Sequence, residues 1–145
     1  MALLGGGVGG AGNPVGGSFT GPATALEYIG DFAYAYSGLQ SSTTALKTYL
    51  SFTTGANLIV GVLQTNAAVD DDNPTVGATS ATEITLNNNR IAILKTDTKD
   101  EDMKGSERME LVLPPYTTVL VTMVDDGNES DRFGSVSFVG RVYRD

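Results

Sequence analysis

Three aspartate-rich stretches hold the side chains that could bind a metal ion or transfer protons. They are Asp70–Asp72, Asp97–Asp102 and Asp125–Asp131. Clustered carboxylate oxygens on a loop are the ligands that Ca²⁺ prefers. The third stretch departs from an EF-hand loop, because Asp131 stands where that loop needs glycine. We therefore interpret all three stretches as solvated loop tips, and we predict neither a metal ion nor a cofactor.

Paired carboxylates are also the catalytic groups of glycosidases. Such a pair needs a cleft, a raised pKa on one partner and aromatic side chains on which a sugar can stack. This chain has no Trp, and its acids lie in polar stretches. It has no His and no Cys either, which excludes the common zinc sites, Ser-His and Cys-His nucleophile pairs and disulfides. We therefore predict that the protein is not an enzyme.

The charge of the chain limits its partners. The formal net charge is −8, and a phosphate backbone repels such a chain, so we expect no nucleic-acid partner. The chain lacks the run of about 18 apolar residues that a membrane span needs, so we expect no membrane partner. Its N-terminus also lacks the basic region of a signal peptide. The charge favours solubility at high concentration, and attraction to a basic partner surface is the sharper alternative.

Residues 1–21 form a glycine-rich N-terminal arm with nine glycines. Gly5, Gly7 and Gly10 match a dinucleotide-binding pattern by chance, because no strand precedes them and no helix follows. The arm is either a disordered terminus or a segment that reaches a neighbouring subunit. In the second case we expect its contacts at the apolar anchors Leu3, Leu4, Val15 and Phe19.

The C-terminal third reads as three strands, Glu107–Leu113, Thr117–Val124 and Arg132–Tyr143, which we expect to form a meander. Alternation of apolar and polar residues is the signal of a half-buried strand, and Pro114 and Pro115 end the first of the three. Further strands are predicted upstream, at Leu26–Ile29, Phe32–Ser37, Ala45–Thr53, Leu58–Gln64, Thr82–Leu86 and Arg90–Lys95.

This pattern predicts an all-β fold for residues 22–145. About eight strands at regular spacing, with no helix longer than two turns, indicate a two-sheet β-sandwich of jelly-roll-like or Greek-key order. The longest loop is expected at residues 65–81, and a tight turn at Asn87–Asn89. A short helical turn at Ala23–Ile29 is the competing local interpretation.

Alternation within the strands also predicts which side chains face the core. We expect the aromatic row Phe32, Tyr34 and Tyr36 to lie in the core, since aromatic side chains dominate core energetics. Within Ala45–Thr53 we expect Leu46 inside and Tyr49 outside.

Leu58–Gln64 is apolar on both faces, which indicates a central strand or one that another subunit covers. Within it we expect subunit or capsid contacts at Ile59 and Leu63.

Five short segments carry a resemblance that covers nearly the whole chain. They are Glu27-Tyr28-Ile29-Gly30-Asp31, Ala35-Tyr36-Ser37-Gly38, Leu50-Ser51-Phe52-Thr53-Thr54-Gly55, Leu113-Pro114-Pro115-Tyr116-Thr117 and Gly140-Arg141-Val142-Tyr143. In this order the segments resemble small structural proteins of tailed bacteriophages. The motifs are structural and not catalytic, so no functional residue carries over.

The resemblance implies a virion component built on a β-sandwich. We expect a head decoration (cement) protein on the capsid surface, with the major capsid protein as its partner. We also expect a homo-oligomer, and a trimer at local threefold positions is the form we predict. The alternative is a tail-fibre or receptor-binding module that contacts host-surface glycans through the loops at Asp70–Pro74 or Asp125–Asp131.

Overall fold

The computed structural model describes residues 26–41, 44–70, 79–97, 106–125 and 132–144. None of these residues belongs to a helix that could cross a membrane. They form ten strands: β1 (Glu27–Ile29), β2 (Phe32–Tyr36), β3 (Gln40–Ser41), β4 (Lys47–Thr53), β5 (Leu58–Asp70), β6 (Thr79–Leu86), β7 (Asn89–Asp97), β8 (Ser106–Leu113), β9 (Thr118–Asp125) and β10 (Arg132–Tyr143).

The strands form two antiparallel sheets, so the predicted all-β sandwich is confirmed. The first sheet has the order β1-β2-β10-β5-β8, with β3 also paired to β10, and the second has the order β4-β9-β6-β7. The pairs β6·β7, β5·β8, β4·β9 and β2·β10 are nested around one hairpin, and they alternate between the two sheets. This is the rolled hairpin of a jelly roll, one of the two predicted orders.

The predicted C-terminal meander is wrong. β9 lies in the second sheet, and β5 separates β8 from β10 in the first. Alternation identifies a strand but not its partners, and in this fold successive strands cross between sheets. The other differences are smaller. β5 and β6 extend into residues expected to be loop, β1 is a strand and not the competing helical turn, and the short β3 was not predicted.

The core lies between the sheets, where the aromatic rings of Phe52 and Phe138 approach to 5.8 Å between centroids. Gly61 and Gly140 stand opposite each other on β5 and β10. A Cβ atom at Gly61 would lie 2.8 Å from the ring of Phe138, and one at Gly140 would lie 2.7 Å from Ile59 Cγ2. The two glycines therefore leave the space that this ring occupies.

Strand β4 contains a register shift between Thr48 and Leu50. Tyr49 and Leu50 are both fully buried, whereas Leu46 is 58% exposed. The predicted positions of Leu46 and Tyr49 are therefore wrong. A β-bulge places an extra residue on one strand, and strict alternation cannot anticipate it.

The sandwich has two different ends. At one, which we call the turn end, short connections join the strands, including the predicted turn at Asn87 and Asn88, both with positive φ. At the other, the acidic end, the register brings together the strand ends that lead into the aspartate-rich stretches. Asp70 pairs with Arg132, Thr79 with Asp97, and Ser80 with Asp125.

Candidate contact surface

Strand β2 turns its aromatic residues away from the core. Ala33 and Ala35 are fully buried in the core, whereas Phe32 and Tyr36 are exposed. Successive side chains of a strand point to opposite faces, so with the two alanines inside, Phe32, Tyr34 and Tyr36 face outward. The prediction that the aromatic row lies in the core is therefore wrong for Phe32 and Tyr36, whereas Tyr34 is buried but on the outer side of the sheet.

Neighbouring strands continue this outward row into a broad surface. We call it the apolar face; it comprises the outward large apolar side chains of the first sheet. They are Ile29, Phe32, Tyr34, Tyr36, Leu58, Val60, Val62, Val112, Val139 and Tyr143. Eight of the thirteen exposed large apolar side chains of the described residues lie here. Exposed apolar residues scattered singly need no explanation, but a contiguous patch of this kind marks an interaction surface.

The register aligns these side chains in rows across the sheet. Ile29, Phe32, Arg141, Val60 and Val112 follow one another on β1, β2, β10, β5 and β8. Strands in a sheet lie about 4.8 Å apart, so this row is roughly 20 Å long. The next row consists of Tyr34, Val139 and Val62, with Glu27 on β1 at one end and Glu110 on β8 at the other.

The charged residues on the apolar face balance one another. Glu27 and Glu110 flank its middle row, while Arg141 and Arg108 lie in the rows on either side. The guanidinium of Arg141 lies 5.8 Å from the ring centre of Tyr143. Within the described part of the chain, none of these four residues forms an ion pair. A chain of net charge −8 thus presents one face with two charges of each sign.

Tyr34 lies at the centre of this face and is 8% exposed, whereas its neighbour Val139 is 46% exposed. Its ring centre lies 4.9 Å from that of Tyr36. Burial raises the pKa of the Tyr34 hydroxyl, and electrostatic repulsion from Glu27 and from the ionisable hydroxyl of Tyr36 raises it further. Among the described residues the hydroxyl has no hydrogen-bond partner, and neither does the buried Oε2 atom of Glu27.

The outer surface of the second sheet has a different chemistry. Its outward positions on β4, β6 and β9 are largely hydroxyl side chains, namely Thr48, Ser51, Thr53, Thr85, Thr118 and Thr122. Its exposed large apolar residues are Ile91 and Ile93 on the edge strand β7. The apolar face is therefore a property of one side of the sandwich.

The two contact positions predicted on β5 lie inside the sandwich. Ile59 is 1% exposed and Leu63 is 0% exposed, so both belong to the core of this chain and not to its surface. The prediction chose the wrong parity of a strand that is apolar on both sides; Val60 and Val62 face outward instead. The size of the side chains was an available signal, because the bulkier Ile and Leu pack inside.

The remaining predicted site residues lie outside the described residues. These are the arm anchors Leu3, Leu4, Val15 and Phe19, together with most of the three aspartate-rich stretches. In the part of the chain that the structure describes, no three acidic side chains are grouped as a metal site would require.

Comparison with known proteins adds no relative. The chain matches no protein-family model, and no curated protein is similar to it. What the described residues offer toward a function is therefore the jelly-roll fold and the apolar face.

Proposed function

We propose that this protein is a virion structural protein of a tailed bacteriophage. In this proposal it is a head decoration (cement) protein that binds the capsid shell as an oligomer. The observation that supports it best is the apolar face on a strongly acidic chain. Such a surface suits contact between protein subunits, which a protein that binds a shell as an oligomer requires.

The acidic charge elsewhere on the chain suits the same role. A decoration protein must stay soluble at high concentration until it is bound, and a net charge far from zero keeps free copies apart. The short connections of the turn end join the two sheets, with backbone hydrogen bonds from Thr54 N to Thr117 O and from Tyr116 N to Gly55 O.

The N-terminal arm supplies the second contact in this proposal. An extended segment can add a strand to an exposed sheet edge, with backbone hydrogen bonds giving affinity and side chains filling pockets. We propose that residues 1–21 bind the major capsid protein in this way, with Leu3, Leu4, Val15 and Phe19 as anchors.

Copy number in purified virions tests the proposal most directly. Quantitative mass spectrometry would compare this chain with the major capsid protein of the same particle. A ratio near one supports decoration of the whole head. A handful of copies moves the chain to the tail, and absence from the particle overturns the structural role.

A binding assay tests the role of the arm. Purified shells without this protein would be incubated with the full chain or with the double variant Leu3→Asp, Leu4→Asp. We expect the variant to bind at least about tenfold more weakly, because charged anchors cannot enter apolar pockets. The matched control is Leu39→Asp, at an exposed position outside both the arm and the apolar face. Equal binding by both variants would remove the arm from the proposal.

A receptor-binding module is the second candidate, and one observation favours it. Phe32, Tyr36 and Tyr143 expose aromatic rings on the apolar face, and flat rings can stack on sugars. A glycan screen would compare the full chain with Tyr36→Ala. Binding that the substitution abolishes supports this candidate, and a broad screen without binding removes it.

A further inference from the structure

We propose that the apolar face is covered by the same face of a second copy of this chain, in a two-fold symmetric dimer. The occupant is thus another molecule of the same protein and not a host or capsid component. This inference does not depend on the role in a virion, because it concerns the purified chain in solution.

Charge is the first argument for a second copy. Two molecules of net charge −8 repel each other wherever acidic surfaces meet. On the apolar face, however, Glu27 and Glu110 are balanced by Arg108 and Arg141. Two copies can therefore approach through this face without the repulsion that the net charge imposes elsewhere.

The unpartnered polar groups at the centre of the face are the second argument. The hydroxyl of Tyr34 and the Oε2 atom of Glu27 are buried and have no hydrogen-bond partner among the described residues. A buried polar group without a partner is costly. The rest of the Glu27 side chain is partly exposed, so the guanidinium groups that a second copy brings to the same region can reach its carboxylate.

The size of the face is the third argument. Five strands about 4.8 Å apart extend a little over 20 Å across the sheet, and four rows about 6.7 Å apart cover a similar distance along the strands, which gives roughly 500 Å² for each copy. The pair would bury about 1,000 Å² in total, which reaches the lower bound for a specific protein interface. Two sheets pack about 10 Å apart with interleaved side chains, as the two sheets inside each molecule already do.

The shape of the face decides the symmetry. A single sheet surface is fully covered by one other sheet surface, and a contact between identical surfaces is two-fold. Three copies around a threefold axis would leave part of each face in water. The expected assembly is therefore a dimer, in contrast to the trimer that the resemblance implies.

The N-terminal arm is the competing occupant. In the chain it precedes β1, which is an edge strand of the same sheet, but nine of its 21 residues are glycine. Its anchors Leu3, Leu4, Val15 and Phe19 are fewer than the eight exposed apolar side chains on the face. A second copy matches the apolar area better, because each face offers as much surface as it covers.

The test measures the mass of the full chain in solution by light scattering after size-exclusion chromatography. We expect twice the chain mass of 15.1 kDa. Val139→Asp places a carboxylate at the centre of the face in each copy, and we expect the dimer to weaken at least about 100-fold. The matched control, Ile93→Asp, alters an exposed apolar residue on the second sheet, and we expect it to remain dimeric.

Several outcomes would overturn the proposal. A wild-type monomer, a wild-type trimer, or equal effects of Val139→Asp and Ile93→Asp would each contradict it. If Phe19→Asp dissociates the dimer of the full chain, the N-terminal arm and not a second copy would be the occupant of the apolar face. Circular dichroism checks folding, and if Val139→Asp fails to fold, Val112→Asp at a 60% exposed edge position takes its place. None of these readouts involves virions, so failure here is distinguishable from failure of the decoration role.

Discussion

The two ends of the sandwich differ in what lies between the sheets. At the turn end the core is apolar, with Phe52 and Val119 opposite Ile59 and Leu113. At the acidic end the same strands bury polar side chains. Thr65 lies on the first sheet, and the adjacent strands of the second sheet place Thr96, Ser80 and Asp125 side by side.

The ends also differ in how their polar groups are satisfied. At the turn end the buried hydroxyl of Thr54 donates to Pro114 O at 2.8 Å and accepts from Thr117 N at 2.8 Å. At the acidic end the buried Ser37 hydroxyl donates to Gly38 O and accepts from Val136 N, but five other buried hydroxyls lack a hydrogen-bond partner among the described residues. They belong to Tyr49, Thr65, Ser80, Thr82 and Thr96. Stability should therefore be concentrated at the turn end.

The outer surface follows the same gradient. The rows of the apolar face nearest the turn end hold Leu58, Tyr143, Phe32, Val60 and Val112, while the row nearest the acidic end holds Ser137, Gln64 and Arg108 beside Tyr36. The proposed contact surface thus lies on the better-stabilised half of the molecule. Substitutions at the two ends test whether their contributions to stability differ in this way.

Alkaline unfolding should show the largest effect, and it arises at the acidic end. Burial, with a smaller effect of Asp125, raises the pKa of Tyr49 to about 12. An unfolded tyrosine ionises near pH 10, so above that pH the unfolded state releases a proton that the folded state keeps. Stability should be unaffected below pH 10 and fall by up to about 3 kcal/mol as the pH rises through 12.

Chemical denaturation at a series of pH values measures this loss, with Tyr49→Phe as the comparison. Tyr28 and Tyr34 also have raised pKa values, so the free energy of unfolding of the variant still falls with pH. The additional fall in the wild-type protein is the contribution of Tyr49. If the free energies of unfolding of wild type and Tyr49→Phe differ by the same amount at every pH from 9 to 12, the raised pKa of Tyr49 is contradicted.

Thr54→Val tests the turn end. The methyl group preserves the shape but removes one donor and one acceptor, and leaves Thr117 N and Pro114 O without this partner. We expect a loss of about 2 kcal/mol in the free energy of unfolding in urea. The control is Thr53→Val, because the exposed Thr53 hydroxyl bonds only the Thr118 hydroxyl; its effect should stay below about 0.5 kcal/mol. Similar losses for both would show that the buried bonds add nothing.

Asn87→Ala probes the same end at a tight turn. Asn87 has φ of 48°, and its Oδ1 atom accepts a hydrogen bond from Thr118 N at 2.9 Å. Alanine tolerates this backbone conformation less well and offers no acceptor. The expected cost is about 1.5 kcal/mol, measured as a shift in the urea midpoint. Asn89→Ala, which keeps both features, should lie within about 0.5 kcal/mol of wild type.

Thr82→Val should have the smallest effect, and in the opposite direction. Its buried hydroxyl has no partner among the described residues, so replacing it with a methyl group removes a desolvated polar atom without breaking a bond. We expect stabilisation of up to about 1 kcal/mol. A clear loss of stability in thermal unfolding would reveal a partner for this hydroxyl and weaken the contrast between the ends.

Local signals account for much of what the sequence predicts correctly. Alternation of Met109, Leu111 and Leu113 with charged residues identifies β8, and its prolines mark where it ends. The asparagine run predicts the β6–β7 turn, because asparagine tolerates positive φ. These features depend on residues close together in the chain, so they can be predicted without knowledge of the partner strands.

The candidate surface was only half predictable. The sequence shows that Leu58–Gln64 is apolar on both sides and therefore suggests a covered outer face. It does not show which side that is, and Ile59 and Leu63 were chosen wrongly. The balance of charge on the face was hidden as well, since Glu27, Glu110 and Arg141 are brought together only by strand order.

Most strands, the turns and the all-β class of this protein can be predicted from its sequence, because two-residue alternation and turn chemistry are local. Strand pairing and the buried side of each strand could be read only from the folded chain. Ala33 and Ala35 belong to the core between the sheets, and alternation along β2 then places Phe32 and Tyr36 outside. That choice depends on residues far along the chain, and it created the apolar face.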